Sequence, residues 1–176
     1  MSNVMTLTRE AARLTAADLE RLVEQYQAAV LRTCYLYLCD RSQAEDAVQE
    51  TFLKVYRNLE RFRGECSEKT WIMKIAMRVC YDMNHSGWSR FFNRQVTPEM
   101  LPEASVPFTE RDDTLTQAMM RLPVRLREVM ILYYYQGLSV NEIAEALGVT
   151  QPSVSGRLKR GRDKLKAALE GREIDE

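Results

Sequence analysis

Apolar residues recur every three or four positions along most of the chain, a spacing that places them on one face of an α-helix. Three such runs fill the first half, at about 19–39, 42–59 and 69–85. Ser42 and Glu45 have the spacing of a capping box, which satisfies free amides at a helix start. We therefore predict three helices. Their predicted core positions are Leu19, Leu22, Val23, Tyr26, Val30, Leu31, Val48, Phe52, Val55, Leu59, Ile72, Ile75, Ala76, Val79 and Met83.

The same period resumes near residue 112 and predicts further helices. An apolar stripe within 122–133 predicts one helix, which Gly137 ends. Ser139 and Glu142 form a second capping box that opens a short helix. Thr150 can then cap a longer last helix. The predicted core positions of these two helices are Val140, Ile143, Ala144, Leu147, Val154, Leu158, Leu165 and Leu169, with Gly161 on the same side, where a close approach of the preceding helix would explain a glycine.

A stretch without a sustained apolar repeat separates the two halves. It contains Pro98, Pro102 and Pro107, which oppose regular helix and favour extended backbone. This composition is typical of a linker. The sequence predicts an all-α protein made of two small helical domains. The predicted boundaries are 14–92 for the first domain, 93–112 for the linker and 113–170 for the second domain.

Composition narrows the class of protein. The 176 residues hold 25 Lys and Arg against 25 Asp and Glu, and 45% are hydrophobic. Such a balance is typical of a folded globular protein. No apolar run approaches the length of a membrane span, and the first residues lack the pattern of a secretory signal. We expect a cytoplasmic protein without membrane insertion. Its cysteines, Cys34, Cys39, Cys66 and Cys80, are expected to be free thiols.

The sequence offers little for catalysis or for a cofactor. His85 is the only histidine, and no motif around it marks a serine or cysteine nucleophile. No glycine-rich loop follows a strand, and the carboxylates lack a recognisable metal spacing. We therefore expect no enzyme activity, no metal, no cofactor and no small-molecule substrate.

The strongest local signal lies in the last two predicted helices. A short helix, a turn containing Gly148 and a longer helix have the arrangement of a helix-turn-helix, whose second helix enters the DNA major groove. Residues 150–169 hold six Lys and Arg against one Asp. The alternative is a solvated basic face at a helix C-terminus. The predicted DNA-facing residues on one side of this helix are Ser153, Arg157, Arg160 and Lys164.

The third predicted helix is a second candidate. Its outer face mixes cations with an aromatic residue, and further aromatics follow it. Cations interleaved with aromatics suit single-stranded DNA, because bases stack on the rings while the backbone follows positive charge. Alternatively, the aromatics cover the linker or pack on another protein. The residues concerned are Lys74, Arg78, Tyr81, Asp82 and His85, followed by Trp88, Arg90, Phe91, Phe92 and Arg94.

Three stretches together resemble the extracytoplasmic-function (ECF) sigma factors that contain only regions 2 and 4. The stretch 44–55, AEDAVQETFLKV, looks like region 2.2. Phe62-Arg63-Gly64 followed by 69–76, KTWIMKIA, looks like the start of the promoter-melting part of region 2. Leu122-Pro123, Arg127-Glu128, Gly137-Leu138-Ser139, Glu142-Ile143-Ala144, Val154 and 157–160, RLKR, look like region 4. The resemblance covers about 19–169.

The resemblance implies partners and residue roles. The first domain would bind core RNA polymerase through the clamp helices of its β′ subunit, the second would meet the β flap, and both would contact promoter DNA. An anti-sigma factor would hold the protein inactive until an envelope or stress signal. The implied polymerase-binding residues are Asp46, Gln49, Glu50, Leu53 and Arg57. The implied −10 contacts are Lys74, Arg78, Asp82, Asn84, His85 and Arg90. The implied −35 contacts are Ser153, Ser155, Arg157, Lys159 and Arg160, with Lys164 on the same helix.

Two other classes of protein remain open at this point. A stand-alone transcriptional regulator would use the second domain on DNA and the first for a ligand or a dimer, and would bind a palindrome tightly. A protein-interaction module would leave both basic helices merely solvated. Binding to polymerase and to a promoter separates the sigma-factor reading from both.

Overall fold

The computed structural model describes residues 14–85 and 110–173. These two stretches are almost entirely helical and contain no β-strand, which confirms the predicted all-α fold. A 3₁₀ turn, Leu59–Arg61, follows the second helix, and a π-helical turn, Ile131–Tyr135, follows the fifth. The α-helices are α1 (Ala16–Leu38), α2 (Arg41–Asn58), α3 (Glu68–His85), α4 (Glu110–Arg121), α5 (Val124–Met130), α6 (Val140–Leu147) and α7 (Gln151–Glu173).

The start of α2 differs from the sequence prediction. The N-cap is Asp40, whose carboxylate accepts a hydrogen bond of 2.8 Å from the Gln43 amide. The predicted capping box of Ser42 and Glu45 is therefore wrong. Asp40 is an equally good cap residue two positions earlier. With the helix already begun, Glu45 instead pairs with Arg41 one turn away, at 2.9 Å.

The two later helix starts agree with the prediction. The Ser139 amide donates to the Glu142 carboxylate at 2.9 Å, and the Glu142 amide donates back to the Ser139 hydroxyl at 3.2 Å. The hydrogen bonds that the Ser139 amide and hydroxyl donate to the carboxylate hold the pKa of Glu142 below its ordinary value. The hydroxyl of Thr150 accepts from the Ser153 amide at 3.3 Å, at the start of α7. Both predicted caps are confirmed.

Helices α1, α2 and α3 form one bundle around a shared apolar core. The central predicted positions are buried, including Leu22, Val48 and Ile72. Leu31 is an exception, because 37% of its side chain is exposed and its predicted core placement is wrong. The apolar stripe of α1 is wide, and Leu31 lies at the edge of it.

Helices α4 to α7 form the second bundle. The predicted close approach at Gly161 is confirmed, although the helix that approaches it is α5 rather than α6. A Cβ atom at Gly161 would lie 2.9 Å from the Cγ and Sδ atoms of Met130. The helix predicted within 122–133 begins after Pro123, and its end widens into the π-helical turn, where the Gln136 amide reaches back to the Ile131 carbonyl at 3.2 Å.

The two bundles lie against each other. Helix α6 packs on α3, while α4, α5 and the π-helical turn contact α1, so that one apolar core runs through both bundles. Helix α4 begins at Glu110, within the last residues of the predicted linker, and the predicted boundary at residue 92 falls outside the described residues. All four cysteines carry free thiols. Among the helices described, none has the length and apolar character to cross a membrane.

Candidate nucleic-acid and protein interfaces

Helices α6 and α7 form a helix-turn-helix. Gly148 ends α6 with a φ of 65°, a left-handed conformation that glycine adopts without steric cost. The Val149 amide then donates to the Ala144 carbonyl at 3.0 Å, which closes the turn before α7. Val154 and Leu158 are buried under α7 and fix which side of that helix faces outward.

Most of the residues predicted to read DNA lie on the open side of α7. The exposed members of this set are Ser155, Lys159, Arg160 and Lys164, and Ser153 is half-buried. Arg162 is a further exposed cation on this helix, and it donates to the hydroxyl of Tyr134 at 3.5 Å. The result is a cationic surface along more than two helical turns.

Arg157 occupies a different position from the one predicted. Its guanidinium donates to the carboxylate of Glu128 on α5 at 2.7 Å, and the two side chains are only 15% and 13% exposed. Burial raises the pKa of Glu128, and the adjacent Arg157 partly offsets that rise. The predicted placement of Arg157 on the free face is wrong, because this ion pair draws it into the packing between α5 and α7. A DNA contact by Arg157 stays a prediction.

The outer face of α3 carries the second cationic cluster. Arg78 and Asp82 form an exposed ion pair at 3.1 Å. The rings of Tyr81 and His85 stack with their centroids 3.9 Å apart, and the His85 Nδ1–H donates to the Tyr81 carbonyl at 2.8 Å. The Arg78 guanidinium lies 5.5 Å from the centre of the Tyr81 ring. Tyr81, 45% exposed, thus presents an aromatic surface beside a cation.

The other three residues predicted to contact the −10 element differ in where they lie. Lys74 is exposed on α3, one turn before Arg78, and Asn84 is half-buried. Arg90 falls outside the described residues, as does Trp88. The structure therefore brings together the α3 members of the predicted −10 set.

The outer face of α2 holds the predicted polymerase-binding residues. Asp46, Gln49 and Arg57 are exposed, and Glu50 lies 3.8 Å from the Lys54 amine. Leu53 is half exposed in the middle of this polar face. Tyr56, 54% exposed, lies beside it and was missed in the sequence analysis. Its position three residues after Leu53 could have indicated it, because residues at this spacing are neighbours on one face of a helix.

A groove of about 990 Å³ runs between the two bundles. Its walls come from α2 and α3 on one side and from α5 and the α6–α7 turn on the other. Among the described residues that line it, Glu128 is the only carboxylate. The lining cations are Lys54, Arg61, Lys74, Arg78, Arg125 and Arg157. The groove is therefore cationic and continuous with the outer face of α3.

These features define a two-domain helical protein. It has a helix-turn-helix in the second domain and, on α3, a second cationic surface that includes an exposed aromatic ring. Comparison with known proteins gives its family. Residues 22–89 match the model of sigma-70 region 2, and residues 112–165 match that of sigma-70, region 4. The order of the two matches is the order of the two bundles.

Two curated bacterial proteins and one solved structure illustrate the similarity. ECF RNA polymerase sigma factor SigW of Bacillus subtilis is 28% identical over 162 residues, covering 84% of this chain and 87% of SigW. RNA polymerase sigma factor YlaC of the same bacterium is 31% identical over 156 residues, covering 85% and 90%. Sigma factor RpoE, solved with the anti-sigma factor NepR from Bartonella quintana, has a TM-score of 0.75 at 21% identity, covering 88% of this chain and 98% of that chain.

The chain belongs to the ECF group of RNA polymerase sigma factors. It is a transcription initiation factor that binds core RNA polymerase and directs it to promoter DNA. The expectations of a stand-alone regulator and of a simple interaction module are set aside by this membership.

Proposed function

We propose that three separate faces of this sigma factor divide its work. The α2 face around Leu53 binds the clamp helices of the β′ subunit, the α3 face around Tyr81 contacts the −10 element, and the exposed side of α7 contacts the −35 element. The observation that carries the proposal is the pair of cationic faces, one in each bundle, each with a charge pattern suited to DNA. The second bundle also meets the β flap.

Regulation by an anti-sigma factor is part of the same proposal. The RpoE structure holds the anti-sigma factor NepR, and a second similar fold, CnrH, was solved with the cytosolic domain of CnrY at a TM-score of 0.69. The cationic groove between the bundles offers such a partner an extended surface. We place the protein in the cytoplasm, where RNA polymerase acts, and assign it no catalytic step, since the phosphodiester chemistry belongs to the polymerase.

Base stacking on Tyr81 gives the first testable consequence. Its ring is held by His85 and stands beside Arg78, so an unstacked base can lie on the ring while the phosphates meet the cation. Replacing Tyr81 with Leu is expected to weaken holoenzyme binding to a single-stranded −10 oligonucleotide by about 1–3 kcal/mol, roughly 5- to 150-fold. Tyr81→Phe keeps the ring and should bind nearly as the wild type does. Equal losses in both variants would show that stacking is not the contact.

Phosphate contacts by α7 give the second testable consequence. Arg160 and Lys164 are exposed, so replacing both with Ala should leave the fold intact. Each lost phosphate contact is expected to reduce the slope of log K against log salt by about 0.9 for binding of a −35 duplex by the holoenzyme. The matched control is the exposed cation Lys166, which pairs with Glu170 further along the helix. An unchanged slope in the double variant would contradict the assignment.

A further inference from the structure

The groove between the two bundles holds more positive charge than nearby carboxylates balance. Three of its six lining cations form ion pairs with carboxylates of their own bundle. The other three are exposed and form no ion pair with any described residue. These unpaired cations are Arg61 and Lys74 from the first bundle and Arg125 from the second. Unpaired cations on both walls of one groove favour an anionic occupant.

The groove also presents flat aromatic surface beside these cations. Trp71 of α3 lines it and is half-buried, with its ring centroid 4.8 Å from that of Phe62. Tyr81 lines the same wall and is 45% exposed. Rings of this kind hold planar heterocycles by stacking. Trp71 and Tyr81 therefore form an aromatic wall suited to a ligand that carries a ring as well as negative charge.

A buried hydroxyl without a partner belongs to the same groove. Tyr37 of α1 lines the groove and is only 1% exposed, and its hydroxyl has no hydrogen-bond partner among the residues described. Burial raises the pKa of Tyr37, and the Glu128 carboxylate nearby adds to that rise, so the hydroxyl keeps its proton and remains a donor. An unpaired buried donor is costly, and a ligand acceptor in the groove would remove that cost.

The size of the groove narrows the class of anion. Its volume of about 990 Å³ lies at the upper end of the range for small-molecule sites, about 300–1,000 Å³. A single inorganic phosphate would fill a small part of that space and would leave the aromatic wall and the Tyr37 hydroxyl without a partner. A nucleotide with several phosphates carries the charge, the planar ring and the polar groups that these three features bind.

We propose that this groove binds a nucleoside polyphosphate in the free protein, with the phosphates on the unpaired cations and the base against the aromatic wall, where the Tyr37 hydroxyl donates to it. The site shares Lys74, Arg78 and Tyr81 with the −10 surface. The binding itself does not depend on the face assignments made above. Because the ligand contacts both bundles, its binding stabilises their folded arrangement, by an amount that grows with ligand concentration.

Calorimetric titration of the free full chain with ATP and with GTP is the first measurement. Inorganic triphosphate and adenosine are titrated separately as the two parts of the ligand. We expect a nucleotide to bind at least about tenfold more tightly than triphosphate, because base stacking adds to the phosphate contacts. Absence of binding by both nucleotides, or equal affinity for triphosphate, would overturn the inference.

Tyr37→Phe tests the hydroxyl. It removes one hydrogen bond to the ligand and should weaken nucleotide binding by roughly 2- to 10-fold. The Tm without ligand should not fall, because the hydroxyl has no partner to lose. The matched control is Tyr35→Phe, which removes a second unpartnered hydroxyl of α1, at a residue that does not line the groove. Equal nucleotide affinity in the two variants would contradict the assignment of Tyr37.

Arg125→Ala separates a free nucleotide from a DNA strand as the occupant. We expect this variant to bind ATP about tenfold more weakly and to bind a short single-stranded oligonucleotide nearly as the wild type does. Arg121→Ala, at an exposed arginine outside the groove, is the control for charge. Equal losses for ATP and the oligonucleotide would make the groove a path for DNA and overturn the inference. Failure of nucleotide binding would leave the promoter and polymerase assays of the proposed function unaffected.

Discussion

Replacing Arg157 with Ala is expected to destabilise the protein by about 3 kcal/mol, because it leaves the carboxylate of Glu128 buried without its partner. In a chain of this length, that corresponds to a fall of roughly 6–12 °C in Tm, measurable by calorimetry. The exposed neighbour Lys159 provides the control, since Lys159→Ala should change Tm by little.

The stability of the Arg157→Ala variant should change with pH in a defined direction. Burial already raises the pKa of Glu128, and loss of Arg157 removes an influence that lowers it. Between the unfolded and the folded pKa values, the folded state then holds the proton more tightly, so lowering the pH through that window stabilises the variant. The stability deficit of Arg157→Ala should therefore shrink on acidification.

A double variant that replaces both partners with apolar residues tests whether the stability loss comes from the unpaired buried charge. Glu128→Leu with Arg157→Met removes both buried charges and should recover most of the lost stability. The opposite outcome is an Arg157→Ala variant that melts at the wild-type temperature while its binding to the −35 element falls steeply. That result would mean that Arg157 acts mainly as a DNA contact and that its ion pair with Glu128 contributes little to stability.

Reversing the charge of Asp46 and Glu50 to Lys is expected to weaken holoenzyme assembly by at least about 2 kcal/mol, roughly 30-fold. Asp46 is exposed and Glu50 nearly so, and both lie on the N-terminal side of Leu53 on the α2 face. The reversal therefore places positive charges opposite any partner surface that complements the wild-type carboxylates. Fluorescence anisotropy titration of labelled protein with core polymerase measures the effect. Thermal stability should stay close to that of the wild type, because neither side chain is buried.

The matched control lies on α1. Glu20 and Glu24 are exposed one turn apart, and reversing both gives the same change in net charge on a helix outside the proposed interface. Equal losses of affinity in the two double variants would mean that overall charge, and not the α2 face, governs assembly.

Local features of the fold followed well from the sequence. The capping box of Ser139 and Glu142, the turn at Gly148 and the cap at Thr150 were predicted, because each depends on residues within one helical turn. Where two local signals competed, the prediction was wrong, since Asp40 and Ser42 are both good caps and the sequence does not say which one the chain uses.

Features that depend on contacts between distant segments did not follow from the sequence. Arg157 looked like one more cation on a basic helix, and only the packing of α5 against α7 shows that Glu128 removes it from the free face. The joining of the two bundles through Gln136 and Thr33 spans about a hundred residues of sequence, and no local pattern indicates it. The exposure of Tyr81 beside His85 followed from helical spacing, whereas the stacking of their rings did not.

Transcription in vitro is the first experiment to make, because it shows whether this protein directs core RNA polymerase to promoters. Core RNA polymerase would be mixed with a pool of genomic promoter fragments, with and without this protein, and the transcript starts mapped by sequencing. We expect new starts that share spaced −10 and −35 elements, and we expect them to be lost with the Asp46→Lys, Glu50→Lys variant. The absence of new starts from wild-type protein that is folded and bound to the core enzyme would contradict this expectation.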